Sequence, residues 1–252
     1  SDYPNVDWQS SSANNIVLVE SGKQYKVLTL TDCFEYDEQT YNYYGSYSFT
    51  GTKIEQAVVT AILNVTTDDK VVVDMIKGNN EQDYSSLKTL LENNAYQVNE
   101  VSLATGDFDS NAKIAIMYAP SVDLDEKIVE KLSTWLSNDG KYGRSLIYVP
   151  TADMGEMPNL DDFLKEWGMS IDRGYVFETD ESTLVSASSP YAFTVSYGDY
   201  YKDNLKNSKI PVVVSESHAV NITDENTAHA LLKTSDKAGV LPIDADKNWD
   251  YK

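Results

Sequence analysis

The run Lys70-Val71-Val72-Val73-Asp74-Met75-Ile76 constrains the fold more than any other stretch of the chain. Its apolar residues are consecutive, not alternating. That is the pattern of a strand buried on both faces, and such strands belong to parallel sheets covered by helices. The flanking segments supply the helices. Ile54, Val58, Ala61, Ile62 and Val65 recur at three- and four-residue spacing and predict a helix with a single apolar face. Leu87, Leu90 and Leu91 predict another, stopping near Asn94. Strands are expected over 96–103 and 112–118, the second halted at Ala119-Pro120. Asp123 stands three residues before Glu126, the spacing of a capping box, and Ile128, Val129, Leu132, Trp135 and Leu136 form the stripe of the helix that follows. Gly140 is placed to end that helix. A strand at Ser145–Val149 stops at Pro150, and Leu160, Phe163, Leu164 and Trp167 mark a short helix ending at Gly168. Strand and helix alternate as in a βαβ-wound sheet.

Outside this stretch the pattern is weaker. Residues 1–15 read as a polar leader, and residues 16–19 and 25–30 as two strands joined by a turn at Ser21-Gly22-Lys23. Between Glu35 and Phe49, Tyr36, Tyr41, Tyr43, Tyr44 and Tyr47 lie among acidic and small residues, as in a long surface loop or mobile hairpin. Beyond residue 170 short strands joined by polar loops are expected at 175–177, 192–195, 210–214 and 230–232. The fold class expected is α/β: a mostly parallel wound sheet flanked by helices, flavodoxin- or amidotransferase-like. One domain spans 16–252, with a core at 50–180 and a β-rich addition at 181–240.

Composition removes several functions. With 40 acidic and 20 basic side chains the net charge is −20. Nucleic acid and anionic lipid headgroups both demand a clustered basic surface, so neither is expected as a partner. One cysteine excludes a disulfide framework or a Cys-rich zinc site. No apolar stretch approaches the ~20 residues that cross a bilayer, so the chain is expected to be a soluble piece of a longer parent.

No G-x-S-x-G, G-x-G-x-x-G, phosphate-loop or H-E-x-x-H motif is present. His218 and His229 are scattered, and Cys33 lacks a Gly-rich elbow, so the expectation is no catalytic residue, no metal site and no cofactor. Acid pairs such as Asp161-Asp162, Asp68-Asp69 or Asp107 and Asp109 read as solvated surface. Asp244 to Asp250 imitates the start of a calcium loop, but Trp249 stands where the turn needs Gly, and an acidic tail is preferred. In an open parallel sheet, ligands bind beyond the carboxyl ends of the strands. Gly78, Asn79, Asn80, Glu81, Ser121 and Thr151 fall there and are the expected ligand- or partner-binding residues, with Tyr43 and Tyr44 of the tyrosine-rich loop as a second contact.

Several short motifs resemble one family, the gliding-motility-type (GldG-like) ABC-transporter auxiliary proteins. Phe49-Thr50-Gly51-Thr52-Lys53-Ile54-Glu55-Gln56-Ala57 running into Ala61-Ile62 is similar to the segment before that family's first core strand. Val71 to Glu81 resembles its strand followed by Gly-His-Gly-Glu, here Gly78-Asn79-Asn80-Glu81, without the His and the second Gly. Leu87–Leu103, Ile114–Pro120, Trp135–Gly140 and Leu231-Leu232-Lys233-Thr234-Ser235 resemble later elements. The resemblance touches most of 16–240. It implies a non-catalytic extracytoplasmic domain of a bacterial ABC-transporter accessory protein, on the outer face of the cell membrane, anchored through the parent's transmembrane helices. The partners implied are the transporter's permease and ATPase subunits or an exported substrate. The competing expectations are an amidotransferase-like or hydrolytic enzyme using Cys33, Ser121 or Thr151 with a histidine, and a carbohydrate-binding surface module.

Overall fold

The computed structural model describes residues 3, 4, 6, 8, 15–151, 154–186, 188–246 and 249. Most of the expected leader, and Lys247, Asn248 and Asp250 of the calcium-like segment, lie outside the described residues. In chain order the elements are β1 (Val17–Ser21), β2 (Gln24–Leu28), α1 (Leu30–Cys33), β3 (Phe34–Tyr36), α2 (Glu38–Tyr44), β4 (Phe49–Thr52), α3 (Ile54–Thr66), β5 (Val72–Ile76), α4 (Ser85–Asn93), β6 (Gln97–Val101), β7 (Ala112–Tyr118), α5 (Glu126–Ser137) and β8 (Ser145–Val149). They continue with α6 (Pro158–Glu166), β9 (Met169–Ile171), β10 (Gly174–Phe177), β11 (Leu184–Ser186), β12 (Ser189–Tyr197), α7 (Asp199–Lys202), β13 (Val212–Ser215), β14 (Val220–Ile222), β15 (Leu232–Lys233) and β16 (Gly239–Pro242).

A four-stranded parallel sheet flanked by helices runs in the order β6-β5-β7-β8. The backbone bonds at both ends of β5 show the direction: Gln97 N–H donates to Val71 C=O at 3.0 Å, and Lys77 N–H to Val101 C=O at 2.8 Å. β5 is interior, and all five of its residues are buried, as a continuous apolar run requires. Asp74 sits within it, fully buried. Its carboxylate accepts from Asn99 Nδ2 at 3.1 Å and from the Asp109 N–H at 2.8 Å, which satisfies a group that would otherwise be costly there.

The chain divides into two compact units: residues 1–75, 83–100 and 109–115 form one, and 76–82, 101–108 and 116–252 the other. In the first, the β1–β2 hairpin turns at Gly22, whose φ of +61° suits glycine, and α3 packs on both strands. Leu28, Cys33, Ala57 and Ala61 form the buried cluster. α3 places its small residues inward, which allows close approach to the hairpin. Ile54 and Ile62, expected on the apolar face, are instead about half exposed. Of the two expected forms, loop or hairpin, the tyrosine-rich stretch takes the hairpin: β3 and β4 pair antiparallel, and α2 fills the connection. Asp37 caps α2, accepting from the N–H groups of Gln39 and Thr40, and Gly45 ends it in the left-handed region.

In the second unit α5 buries Ile128, Leu132, Trp135 and Leu136, the expected stripe, and packs against α6. Its ends differ from expectation. Asp125, not Asp123, caps it by accepting the Lys127 N–H, and Asn138 (φ 49°), not Gly140, is its left-handed C-cap. Asp123 serves α6 instead: the irregular segment between Ser121 and Asp125 carries its carboxylate to that helix's first N–H groups, at 3.0 Å to Asn159 and 3.1 Å to Leu160. The C-terminal strands pair antiparallel in small sheets: β10 with β16, β9 with β14, and β11-β12-β13 with β15 added to β12.

Candidate functional site

Residues 77–82 after β5 and 102–108 after β6 belong to the second unit, as do the loops after β7 and β8. The loop after β5 folds onto its own carboxylate. Glu81 accepts the N–H of Gly78 at 3.0 Å and of Asn79 at 2.9 Å, so the amides that would receive an anion at a switch point already hold one. Gly78 takes φ +115°, and a Cβ there would sit 3.3 Å from Ser102 Oγ in the loop after β6.

Asn79 is buried. Its Nδ2 donates to the carbonyls of Asp123 (3.0 Å) and Val122 (3.4 Å), and its own carbonyl accepts from the N–H groups of Ser121 and Val122. Asn80, at φ 54°, donates to Ser121 Oγ, and that hydroxyl donates back to the Asn80 carbonyl at 3.0 Å. Gln82 contributes its N–H to the Ala119 carbonyl and its Nε2 to Thr151 Oγ1 at 2.8 Å. The structure therefore brings six expected residues, Gly78, Asn79, Asn80, Glu81, Ser121 and Thr151, to one edge and laces the three loops together through them. Ala119, buried with φ 48° just before Pro120, is held in a conformation that alanine disfavours. The bond from its N–H to the Val149 carbonyl at 2.7 Å keeps it there.

Behind the loops, Lys131 of α5 donates to the carbonyls of Leu103 (3.0 Å) and Gly106 (2.8 Å) and pairs with Asp107 at 2.8 Å. Trp135 stacks on Phe108 with centroids 4.5 Å apart and carries the Arg144 guanidinium 5.3 Å from its own centroid. Ala119 was expected here as a strand end, without its left-handed conformation; Gln82, Asp123 and Lys131 were not expected at this edge. A left-handed alanine before proline leaves no sequence mark, and only the Asp123–Glu126 spacing hinted at capping.

The hydroxyls here are engaged within the loops themselves. Ser121 Oγ is bonded to Asn80, and Thr151 Oγ1 accepts from an amide. The two histidines each stack on a tyrosine, His218 on Tyr175 at 5.7 Å and His229 on Tyr200 at 4.0 Å. Cys33 is buried among Leu28, Ala57 and Ala61 in the other unit. Among the described residues no group of three or more His, Cys, Asp or Glu side chains could hold a metal ion.

Tyr43 and Tyr44 belong to the first unit, at the end of α2, where they are 81% and 72% exposed and meet edge to face at 4.7 Å. They are not part of the loop cluster just described.

No protein-family model and no curated protein matches this sequence. Among solved structures, the N-terminal domain of mmIFT52 superposes with a TM-score of 0.48 at 13% identity, covering 64% of this chain and 72% of that one. A likeness this distant bears on no functional argument.

Proposed function

We propose that the chain is a non-catalytic extracytoplasmic domain of a bacterial ABC-transporter accessory membrane protein, binding a partner subunit or an exported substrate. The strand-end loops are the contact surface. The observation that carries the reading is the lacing of Gly78–Glu81 to Ser121 and of Gln82 to Thr151, which holds a polar surface rigid and engages its hydroxyls with amides and carbonyls. A surface ordered before binding avoids the entropy of ordering it on contact. The motif resemblance over 49–62, 71–81 and 114–120 supports the family assignment. The order β6-β5-β7-β8 supports a flavodoxin-like reading of the sheet, since such sheets place the second strand outside the first and the third on its other side. The switch point then falls between β5 and β7, beside Asn79 and Ser121.

No helix among the described residues is long and apolar enough to cross a membrane, so the reading places the anchors in the intact parent. The intact gene product and its purification partners test this. Flanking hydrophobic segments of about 20 residues, together with co-purification of a permease and ATPase from membranes, are expected. A parent with neither overturns the proposal.

A further inference from the structure

The strongest surface feature outside the strand-end loops is the hairpin β3–α2–β4. Phe34, Tyr36, Tyr41, Tyr43, Tyr44, Tyr47 and Phe49 lie on it, and five of these rings are exposed: Tyr41 (37%), Tyr43 (81%), Tyr44 (72%), Tyr47 (43%) and Phe49 (46%). The rings are ordered against one another. Tyr41 stacks on Tyr47 at 4.6 Å, Tyr47 on Phe49 at 5.8 Å, and Tyr36 meets both Tyr41 and Tyr47 edge to face. The backbone beneath is fixed at both ends of α2, by the Asp37 cap and by left-handed Gly45. A rigid, aromatic, solvent-facing surface is characteristic of a contact made at low entropic cost.

Charge selects the occupant. Asp32, Glu35, Asp37 and Glu38 are all exposed, and no basic residue occurs between Lys26 and Lys53. Two of these acids are anchored: Asp32 accepts from Thr29 N–H at 2.8 Å and Asp37 from Gln39 N–H at 2.9 Å. Hydrogen bonds from the Thr40 side chain and from the Thr40 and Gln39 backbone hold the Asp37 carboxyl below its usual range, so it stays charged at neutral pH. A phosphate-bearing partner is repelled by such a surface. A sugar needs an open, flat ring face. The Tyr41 and Tyr47 faces already cover each other, and the Tyr43 and Tyr44 planes are turned 69° apart. A guanidinium needs only one open tyrosine face, which Tyr43 offers, and the acidic surround favours it over a neutral sugar. It is planar and weakly hydrated, stacks on a tyrosine face and takes a carboxylate at its edge.

We infer that the hairpin Phe34–Thr52 is a docking surface for an arginine-bearing cationic segment of a partner protein. Tyr43 and Tyr44 supply the ring faces, and the exposed carboxylates of Glu35, Asp37 and Glu38 on the same hairpin supply the field. The inference rests on the reading of this chain as a binding domain and names the chemistry of what it binds.

The test uses the 252-residue chain and a fluorescein-labelled nonapeptide carrying four arginines, followed by fluorescence anisotropy at physiological salt. The doubly substituted Tyr43→Ala/Tyr44→Ala chain keeps its net charge and loses only exposed rings. Its Kd is expected to rise roughly fivefold or more, the loss of two exposed cation–π contacts. Exchanging the peptide's arginines for lysines is expected to weaken binding to the wild type and to make little difference to the variant. Equal affinity of wild type and variant would reduce the binding to bulk charge attraction and overturn the inference. So would absence of peptide binding, or a neutral oligosaccharide binding the hairpin in the peptide's place. The assay needs no transporter. A chain that fails it while its parent co-purifies with a permease loses only this docking surface, and one that passes while its parent lacks membrane anchors loses only the transporter reading.

Discussion

Asp123 caps a helix that begins on the far side of β8: its carboxylate accepts the Asn159 N–H at 3.0 Å, 36 residues along the chain. The Asn159 side chain answers by donating to the Leu124 carbonyl at 2.8 Å. The Asp123 carbonyl, in turn, accepts from buried Asn79. One residue thus ties the loop after β5 to the start of α6, and the candidate surface inherits its rigidity from that tie.

Removing the cap tests the tie. Asp123→Ala is expected to lower stability by about 1–2 kcal/mol, the usual cost of a lost N-cap, while Asp123→Asn retains most of it. Urea unfolding midpoints measure both. Equal stability of wild type and the alanine variant would show that α6 does not depend on this carboxylate.

The two asparagines of the loop should separate. Asn79→Ala removes a buried side chain and leaves the part-buried carbonyls of Val122 and Asp123 without their side-chain donor, and is expected to cost about 1–3 kcal/mol. Asn80→Gly loses the side-chain bond to Ser121 but relieves a positive φ, and is expected to cost less than the Asn79 change. A reversed order of thermal midpoints would contradict the geometry.

Tyr148 predicts an alkaline transition. Burial, and then the negative charge of Asp161, push its phenol up to about 12, against the opposing effect of Arg173. An unfolded phenol ionises near 10.0, so only the unfolded chain releases this proton between the two values. The contribution of Tyr148 is therefore full below about pH 10 and is lost as the pH rises toward about 12. Its hydroxyl is buried without a partner, so Tyr148→Phe should leave the midpoint at pH 8 unchanged or raised and flatten the alkaline fall. Thermal melts at pH 8 and pH 11 decide it, and a variant that falls as steeply as wild type refutes the assignment.

Leu132, fully buried on α5, is expected to cost about 2–5 kcal/mol when cut to alanine, the transfer loss plus the cavity it leaves. An unchanged midpoint would mean that α5 is not packed along this stripe.

The sequence by itself determined the elements whose signal is local. β5 was legible because five consecutive core residues fit only a strand covered on both faces, and α5 because Ile128, Leu132, Trp135 and Leu136 repeat with the helical period. The positions of Gly78–Glu81, Ser121 and Thr151 at one edge followed from the strand ends. Tertiary structure decided everything that joins distant residues. Gln82 meets Thr151 across 69 positions and Asn79 meets Asp123 across 44. The outward turn of Ile54 and Ile62 depends on which face of α3 the β1–β2 hairpin accepts. Periodicity records which side of an element is apolar and is written in neighbouring residues. A cap or an amide bridge needs one donor and one acceptor of types abundant everywhere in this chain, and only the packed arrangement of the loops selects the pair.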